Sequence, residues 1–329
     1  MNVSVIITCL NEKNNIATCL SSLVHQEGLD GTYEIIVCDG GSLDGTQEII
    51  KEFAKQYSEV RLVVEGKKGT SAGRNAALKE ARYDHVAFID ADCEAPRDWL
   101  LRLILKYQEA KKKDSNLIAV GGKNIPPKTA SLFVKAIGIA LDSYLGSFNS
   151  PQGRQFVKPT YVISLATVNA LYEKKKIFDA GCFDETLFSE GEDADLNYRL
   201  SLQGYTLLFC PDSFVFHNMR ATPQKWFKNM FRYGKARARL LKRYRSMWGF
   251  SYCLPVLFLI AFVLVIFATQ KALFYLPLLY FPLLLLFSML QAVCKKVPCL
   301  MFHIMLVYIV QHFAYASGEV YGLLNPRVK

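Results

Sequence analysis

Short apolar runs alternate with amphipathic segments along the first hundred residues of the chain. The runs are rich in Val and Ile, and they cover residues 3–8, 33–39, 60–65 and 85–90. The segments between them repeat apolar residues at helical spacing near 12–25, 45–57 and 71–82. Continuous apolar runs separated by helices are typical of a parallel sheet. The pattern therefore predicts an α/β domain with helices on both faces of the sheet.

The alternation weakens between residues 113 and 160. The apolar stretch 130–145 in this region fits either an amphipathic helix that touches a membrane or a plain buried helix. A helical pattern returns at 192–203, and two strand-like runs follow at 205–210 and 213–218. We therefore expect one globular domain over residues 1–220.

The last eighty residues have a different character. Three apolar spans, 250–268, 272–290 and 297–315, contain no Asp, Glu, Lys or Arg, and hydrophobic residues make up 51% of the whole chain. A helix of about 19 residues is roughly 28 Å long, close to the hydrocarbon thickness of a bilayer. Residues 250–329 are therefore predicted to form about three membrane helices. The short TQK connection at 269–271 suits a tight hairpin.

The net charge of +10 fits either nucleic acid or an anionic membrane surface as a partner. Lys and Arg are concentrated in 225–245, and no Asp or Glu occurs between 213 and 318. Because this basic block directly precedes the apolar spans, we assign 221–249 to the membrane interface and expect no nucleic acid partner. The positive-inside rule then predicts a multi-pass membrane protein with its globular domain on the cytoplasmic face.

Two kinds of motif are absent. The nine cysteines form neither a CxxC pair nor a Cys/His cluster with zinc spacing, so we expect reduced and mostly buried thiols. The first turn after a predicted strand, TCLNEKNN at 8–15, contains no glycine. A dinucleotide-binding fingerprint is thus missing, which argues against an NAD enzyme.

Two carboxylates, Asp90 and Asp92, end the fourth apolar run. In a strand, residues i and i+2 point to the same side, so both can face one space above the sheet. Two anions this close repel each other unless a cation lies between them. Carboxylate oxygens suit Mg²⁺ or Mn²⁺, which also bind phosphate oxygens, so a nucleoside diphosphate is the expected companion. The alternative is that Asp92 caps the following helix.

Six stretches, taken together, resemble one known family. They are SVIITCLNEKNNIATCLSSL, EIIVCDGGSLDGT, GTSAGRNAAL, FIDADCEAPRDWL, GCFDETLFSEGEDADLNYRL and RYGKARARLL. In order and spacing they are similar to glycosyltransferase family 2 enzymes of the GT-A fold, especially membrane-attached enzymes of the succinoglycan-biosynthesis type. The resemblance implies a Rossmann-like domain that binds a nucleotide-diphospho-sugar, followed by a helical membrane domain.

The resemblance also implies a donor site. The first turn would contact the nucleoside, and the implied contact residues are Thr8, Asn11 and Glu12. Asp39 would accept hydrogen bonds from the base, while Asp90 and Asp92 would share the metal, the ribose and the diphosphate. Arg74 would reach the donor pyrophosphate, since a helix N-terminus with a nearby Arg attracts phosphate; a solvated surface Arg is the alternative. We exclude Asp44, because Asp44 and Gln47 have the spacing of a helix capping box.

A second acidic cluster lies at 190–195. Such acids can simply favour the N-terminus of the next helix, but sugar transfer with inversion also needs a carboxylate that takes the acceptor proton. The ED motif of the family falls on Glu192 and Asp193. Asp193 is therefore the predicted base, with Asp195 as the fallback and Glu192 on the acceptor or diphosphate side. His217 is either a core histidine or a third metal ligand.

The basic segment 223–244 places aromatic and apolar residues near one helical face and Lys and Arg on the other. A helix lying in the headgroup region has this pattern. Trp226 would either anchor the helix or stack on an acceptor sugar, and Arg232 would hold the pyrophosphate of the donor or of a lipid carrier. Related processive enzymes carry a QxxRW motif. The different spacing of Gln224 and Trp226 here argues against processive synthesis.

Together these features predict an inverting enzyme that depends on Mg²⁺ or Mn²⁺. It would move a sugar from a nucleotide-diphosphate sugar, in particular a UDP-sugar, to a lipid-linked polyprenyl saccharide in glycan or polysaccharide assembly. A polyprenyl phosphate as the acceptor is one alternative. A nucleotidyltransferase and a non-catalytic, nucleotide-binding membrane scaffold are two others.

Overall fold

Two units make up the chain in the computed structural model, which describes residues 1–147, 156–219, 222–266 and 276–325. The first unit contains Met1–Pro127 and Ser150–Asn218. The second contains Lys128–Asn149 and Met219–Lys329. The apolar stretch near residue 135 thus belongs with the C-terminal helices, although it is inserted within the sequence of the first unit.

A nine-stranded sheet forms the centre of the first unit, in the order β3-β2-β1-β4-β8-β6-β9-β5 with β7 beside β9. The strands are β1 Val3–Cys9, β2 Tyr33–Asp39, β3 Val60–Val64, β4 His85–Ile89, β5 Cys93–Glu94, β6 Leu117–Ile125, β7 Thr160–Val162, β8 Asn169–Glu173 and β9 Thr206–His217. The first four strands are parallel, as predicted. The sheet as a whole is mixed, because β8 runs antiparallel to both β4 and β6.

Helices cover both faces of this sheet. They are α1 Ile16–Leu23, α2 Thr46–Gln56, α3 Thr70–Glu80, α4 Trp99–Lys111, α7 Lys174–Asp179 and α8 Glu192–Leu202. Val5 and Ile7 of β1 pack in the core that holds α1, α2 and α4, whereas Ile6 packs in the core that holds α3, α7 and α8. This alternation follows from the two-residue period of a strand. The predicted α/β layering is confirmed.

Strand β9 joins the two runs that were predicted as separate strands at 205–210 and 213–218. Its pairing with β6 shifts register between Gly121 and Lys123, opposite the segment that contains Pro211. Proline lacks an N–H and is tolerated in a strand at such irregularities. The continuous strand carries His217 to the edge of the sheet where β5 pairs with β9.

The second unit is helical. Its helices are α5 Leu132–Leu141, α6 Tyr144–Ser147, α9 Pro223–Arg243, α10 Phe250–Ile266, α11 Leu276–Cys294 and α12 Met301–Leu324. Of the two interpretations of the stretch 130–145, the buried helix is correct: Phe133, Ile137 and Ala140 of α5 lie in one core with residues of α12. The Ser143 hydroxyl shares a 2.7 Å hydrogen bond with that of Tyr308.

Within the described residues one helical stretch, Pro298–Leu324, is long and apolar enough to cross a membrane. The apolar parts of α10 and α11, Cys253–Leu264 and Leu279–Cys294, are shorter. The predicted TQK connection lies in 267–275, outside the described residues. Three membrane spans therefore stay a prediction.

Candidate active site

The parallel strands β1, β2 and β4 end at the same edge of the sheet. Cys9 at the end of β1 is opposite Asp39 at the end of β2, and Ile6 is opposite Phe88 near the end of β4. The loops that follow these strands consequently share one edge. In open α/β sheets, ligands bind at this edge.

The first loop is fastened to the loop after β2 through its main chain. Asn11, with a φ of 56°, donates its N–H to Ser42 Oγ at 2.7 Å, and its side-chain oxygen accepts from Leu43 N at 3.0 Å. Glu12 donates its N–H to Thr46 Oγ1 at 2.9 Å. These contacts hold Asn11 and Glu12 in a fixed position at the strand ends. Thr8 lies just before them in β1 and is partly exposed.

Asp39 is fully buried, and its carboxylate accepts hydrogen bonds from its own loop. Oδ1 accepts from Ser42 N at 2.8 Å and from Gln47 Nε2 at 2.6 Å, and Oδ2 accepts from Ser42 Oγ at 2.5 Å. Burial acts to raise the pKa of Asp39, but the donors outweigh it and the pKa is lowered. The predicted capping box is wrong, because Gln47 binds Asp39, whereas Asp44 accepts from Thr46 N.

The acidic pair after β4 lies in a turn. The strand ends at Ile89, and Cys93 N donates to Asp90 O at 3.0 Å. Asp90 Oδ1 lies 3.4 Å from Arg74 Nη2, while Asp92 Oδ1 lies 3.3 Å from His217 Nε2. The expectation that both carboxylates point from the strand itself is therefore wrong, because the strand ends at Ile89 and both residues follow it. The charges of Asp92 and His217 act on Asp90, so a shared space for the two carboxylates stays a prediction.

Three ligand atoms come together around Asp92. Within the part of the chain that the structure describes, the side chains of Asp92, Cys93 and His217 place possible metal-binding atoms within 4.8 Å of one another. Asp90 is not in this group, and its place in the predicted set of Asp90, Asp92 and His217 stays a prediction. A carboxylate and an imidazole do fit Mg²⁺ or Mn²⁺ as two ligands, with diphosphate oxygens and water completing the shell.

Arg74 is buried, with 5% of its surface exposed, and is not a solvated surface residue. Its Nη1 lies 2.6 Å from Glu192 Oε1, and its guanidinium lies over the ring of Phe183, 5.4 Å from the centroid. At the N-terminus of α3, Ser71 N donates to Phe188 O at 2.9 Å. Part of the predicted phosphate-binding helix end is thus already occupied by the protein.

Helix α3 is joined to the segment 183–192 by more than the arginine. The Asn75 side chain donates to Phe183 O at 2.8 Å and accepts from Phe183 N at 3.0 Å. Thr70 N and Oγ1 both bond to Ser189 Oγ, at 2.9 and 2.7 Å. These contacts fix the segment that leads into α8. Sequence reasoning missed Thr70 and Asn75, although both lie within four residues of the predicted Arg74 on one helix.

Asp193, the predicted base, lies in the first turn of α8. Burial raises the pKa of its carboxyl group to about 6, the charge of Glu192 raises it as well, and Arg74 opposes the shift. The fallback base Asp195 is fully buried and bonds to Arg199 Nε at 2.8 Å. Asp195 is thus tied to Arg199 within its own helix. The assignment of the base to Asp193 stays a prediction.

The remaining predicted residues, Trp226 and Arg232, lie on α9 in the second unit. Trp226 is 3% exposed and packs in the helical core with Met230, whereas Arg232 is exposed. Their roles on the acceptor side stay predictions. The apolar face of α9 packs on α12, where a Cβ added to Gly318 would lie 2.0 Å from Phe231 O. The place of α9 at a membrane interface stays a prediction.

Several curated proteins are similar to this chain. The glycosyltransferase AglE of Haloferax volcanii is 29% identical over 239 residues, 72% of this chain and 73% of its own length. The succinoglycan biosynthesis protein ExoA of Rhizobium meliloti is 29% identical over 254 residues, 77% and 74% of the two chains. A dolichyl N-acetyl-alpha-D-glucosaminyl phosphate 3-beta-D-2,3-diacetamido-2,3-dideoxy-beta-D-glucuronosyltransferase of Methanococcus voltae is 25% identical, covering 76% and 78%.

Solved glycosyltransferases share the fold. The mannosyltransferase PcManGT of Pyrobaculum calidifontis, solved with GDP-Man and Mn²⁺, superposes with a TM-score of 0.59 at 17% identity, covering 94% of this chain and 86% of its own. S. aureus TarS 1-349 with UDP gives a TM-score of 0.51 at 17% identity, covering 98% and 91%. The model of glycosyl transferase family 2 matches residues 4–171. The predicted GT-A fold is confirmed, and the chain is a glycosyltransferase that belongs to glycosyl transferase family 2.

Proposed function

We propose that this enzyme transfers a sugar, with inversion, from a nucleotide-diphosphate sugar to a lipid-linked acceptor in glycan assembly. The observation that carries the proposal is the carboxylate Asp193, whose pKa is raised to about 6 beside the buried Arg74 and Glu192 pair. A carboxylate with a pKa near the working pH suits a general base. Relatives named for glycan and polysaccharide biosynthesis support the same reaction class.

The donor would bind at the carboxyl ends of β1, β2 and β4. Asn11, Glu12 and Thr8 would line the nucleoside, with Asp39 holding the loop beneath the base through the hydrogen bonds described above. Gly41 N and Cys9 Sγ also donate to this carboxylate, at 3.0 and 3.4 Å. Because a carboxylate offers about four acceptor positions, any direct bond from Asp39 to the base would replace one of these donors. A UDP-sugar is our first choice, and solved glycosyltransferases that share this fold are bound to UDP or to GDP-Man.

Asp92 and His217 would hold Mg²⁺ or Mn²⁺ together with the diphosphate. The ion would offset the charge that develops on the leaving diphosphate. Arg74 contributes a fixed positive charge at the same edge, held by Glu192 and close to Asp90. Preorganised charge of this kind stabilises a transition state without reorganisation during the reaction.

Asp193 would accept the proton of the acceptor hydroxyl as that oxygen attacks the anomeric carbon. The bond from this carbon to the donor phosphate breaks, and the nucleoside diphosphate leaves with the electron pair. Attack opposite the leaving group inverts the anomeric configuration. Asp195 would serve indirectly, because its bond to Arg199 fixes the helix on which the base lies.

The acceptor would be attached to a membrane, on the cytoplasmic face. Support comes from the apolar helices of the second unit and from the basic helix α9. On α9, Arg232 would bind a carrier pyrophosphate. Trp226 would act on the acceptor side by packing α9 in place. A polyprenyl phosphate is the alternative acceptor. It is already ionised and needs no base, so transfer to it would survive Asp193→Asn.

The decisive experiment is a donor screen on the detergent-purified full chain. Nucleotide diphosphate release is followed with and without Mn²⁺ and with a lipid extract. We expect one donor to give release that requires both the lipid and the ion and that falls in Asp193→Asn. Equal release by Asp193→Asn with polyprenyl phosphate would favour the alternative acceptor. No release with any donor would leave a nucleotide-binding scaffold as the better explanation.

A further inference from the structure

The thiol of Cys93 lies in the group of atoms around Asp92. Cys93 is the direct partner of His217 in the antiparallel pair of β5 and β9. Side chains of directly opposed residues lie on the same face of a sheet. The sulfur, an Asp92 oxygen and a His217 nitrogen are all within 4.8 Å of one another.

This donor set differs in chemistry from an all-oxygen site. Mg²⁺ and Mn²⁺ prefer carboxylate, carbonyl and water oxygens, whereas a thiolate and an imidazole together favour Zn²⁺ and Co²⁺. Three protein ligands with an open fourth position are common for Zn²⁺. Asp90, whose Oδ1 lies 3.4 Å from Arg74 Nη2, is not among the three residues whose ligand atoms lie within 4.8 Å of one another.

The surroundings of the thiol keep it in place. Cys93 is 2% exposed, and its main-chain N–H is bonded to Asp90 O. The neighbouring thiol of Cys19 is engaged separately, because its Sγ donates to Asp90 O at 3.6 Å. Asp92 and His217 retain 13% and 21% of their side-chain exposure, so an ion can reach the group from the side of the strand ends.

We propose that Cys93 is a third protein ligand that makes this site bind Zn²⁺ or Co²⁺ more tightly than Mg²⁺ or Mn²⁺. On binding, the thiol proton passes to solvent and the sulfur coordinates as a thiolate. The inference rests on the proposed Asp92 and His217 metal site. It implies that Zn²⁺ competes with the catalytic ion and that Cys93 determines which metals occupy the site.

The test is direct metal binding to the full chain in detergent, with thiols reduced and no sugar donor present. The exposed thiols Cys294 and Cys299 are first replaced by serine, so that they do not bind metal themselves. In this parent, Co²⁺ should produce the near-ultraviolet absorption of a cobalt–thiolate bond. Zn²⁺ should remove this absorption by displacing Co²⁺.

Cys93→Ser should abolish the cobalt–thiolate absorption and weaken Zn²⁺ binding by at least about ten-fold. Binding of Mn²⁺ should change by less than about two-fold, since this ion depends on the oxygen and nitrogen ligands. Cys210→Ser is the matched control, a buried thiol on β9 seven residues before His217, and it should behave as the parent. Unchanged absorption in Cys93→Ser would overturn the proposal.

A second measurement needs no substitution in the site and remains valid if Cys93→Ser fails to fold. X-ray absorption of the parent with one equivalent of Zn²⁺ should show a single sulfur at about 2.3 Å. A shell of only nitrogen and oxygen would overturn the inference. These measurements are independent of sugar transfer, so a failed donor screen and a failed cysteine ligand are separate results.

Discussion

Desolvation and the neighbouring charge of Glu192 raise the pKa of the Asp193 carboxyl group from the usual range to about 6. The group is therefore charged above about pH 6 and neutral below it, and only the charged form accepts a proton. We expect kcat/KM to fall about ten-fold per pH unit below that point, and Asp193→Asn to lose about 10²- to 10⁴-fold of activity together with this pH dependence. A pH–rate profile measures both.

The control for this prediction is Asp195→Asn on the same helix. Asp195 is bonded to Arg199, so its loss should lower the melting temperature while the acid limb of the profile stays near the same pH. An acid limb that persists in Asp193→Asn but disappears in Asp195→Asn would assign the base to Asp195.

Arg74 lowers the pKa of Asp193 through its positive charge. Arg74→Gln should therefore move the acid limb of the pH–rate profile to higher pH. It also leaves Glu192 buried without its partner, a change that costs about 3–5 kcal/mol of folding stability for a buried ion pair. Arg74→Lys keeps the charge, and its acid limb should stay near the wild-type position. If both variants shift the limb equally, the cause is a structural change and not the charge.

At the scale of single residues, sequence reasoning worked best where a carboxylate ends a strand. Asp39, Asp90 and Asp92 lie at the expected edge because strand ends in a parallel sheet share it. The partners could not be predicted. Cys93 meets His217 only because β5 pairs with β9, and nothing in the local sequence of either residue encodes that pairing.

At the scale of elements, α3 and the segment before α8 form one connected structure. Asn75 satisfies both the N–H and the C=O of Phe183, and it is buried. Asn75→Ala should lower the free energy of unfolding by about 1–3 kcal/mol, because buried backbone groups lose their partners. It should also speed hydrogen exchange at the Phe183 amide. The exposed Asn116→Ala is the control, and equal destabilisation by both variants would contradict the prediction.

The packing of α9 on α12 depends on glycine. A Cβ at Gly318 would lie 2.0 Å from Phe231 O, and one at Gly234 would lie 2.0 Å from Tyr315 O. Because backbone cannot move aside locally, Gly318→Ala should force the helices apart and destabilise the unit by about 1–3 kcal/mol. Gly66→Ala introduces the same methyl group into open space and should be neutral. Melting temperatures in detergent compare the two variants.

At the scale of the whole molecule, the sequence predicted a globular unit followed by a helical unit. It did not predict that Lys128–Asn149 belong to the helical unit. Residues near 135 were separated from the C-terminal helices by sequence distance, yet His312 bonds to Leu145 O at 2.9 Å and Lys295 pairs with Asp142 at 2.6 Å. These are long-range contacts that no periodicity reveals. The chain therefore enters the helical unit twice, first through α5 and α6 and again after residue 218.

The charge distribution also bears on the membrane topology. Helix α9 carries Lys and Arg along its length and packs against the C-terminal half of α12, where Lys242 Nζ bonds to Gly322 O at 2.7 Å and Asn325 O at 2.8 Å. Each cation placed in the hydrocarbon core costs about 2.5–3.5 kcal/mol. The half of α12 that contacts α9 must then stay outside the core. The remaining part of α12, from Met301 to Ala314, is about 21 Å long. It is too short to cross the hydrocarbon layer of a bilayer, which is roughly 30 Å thick.

We therefore expect α12 to lie at the cytoplasmic interface beside α9, and not to serve as the third membrane span. A tag after residue 329 should be cleaved by protease only when the cytoplasmic face is exposed, as in inside-out vesicles. A tag before residue 1 should behave in the same way. Three spans would place these tags on opposite sides, because an odd number of crossings separates the two ends. If the C-terminal tag is protected from protease in inside-out vesicles, the three-span topology is correct. In that case α9 must separate from α12 when α12 crosses the membrane.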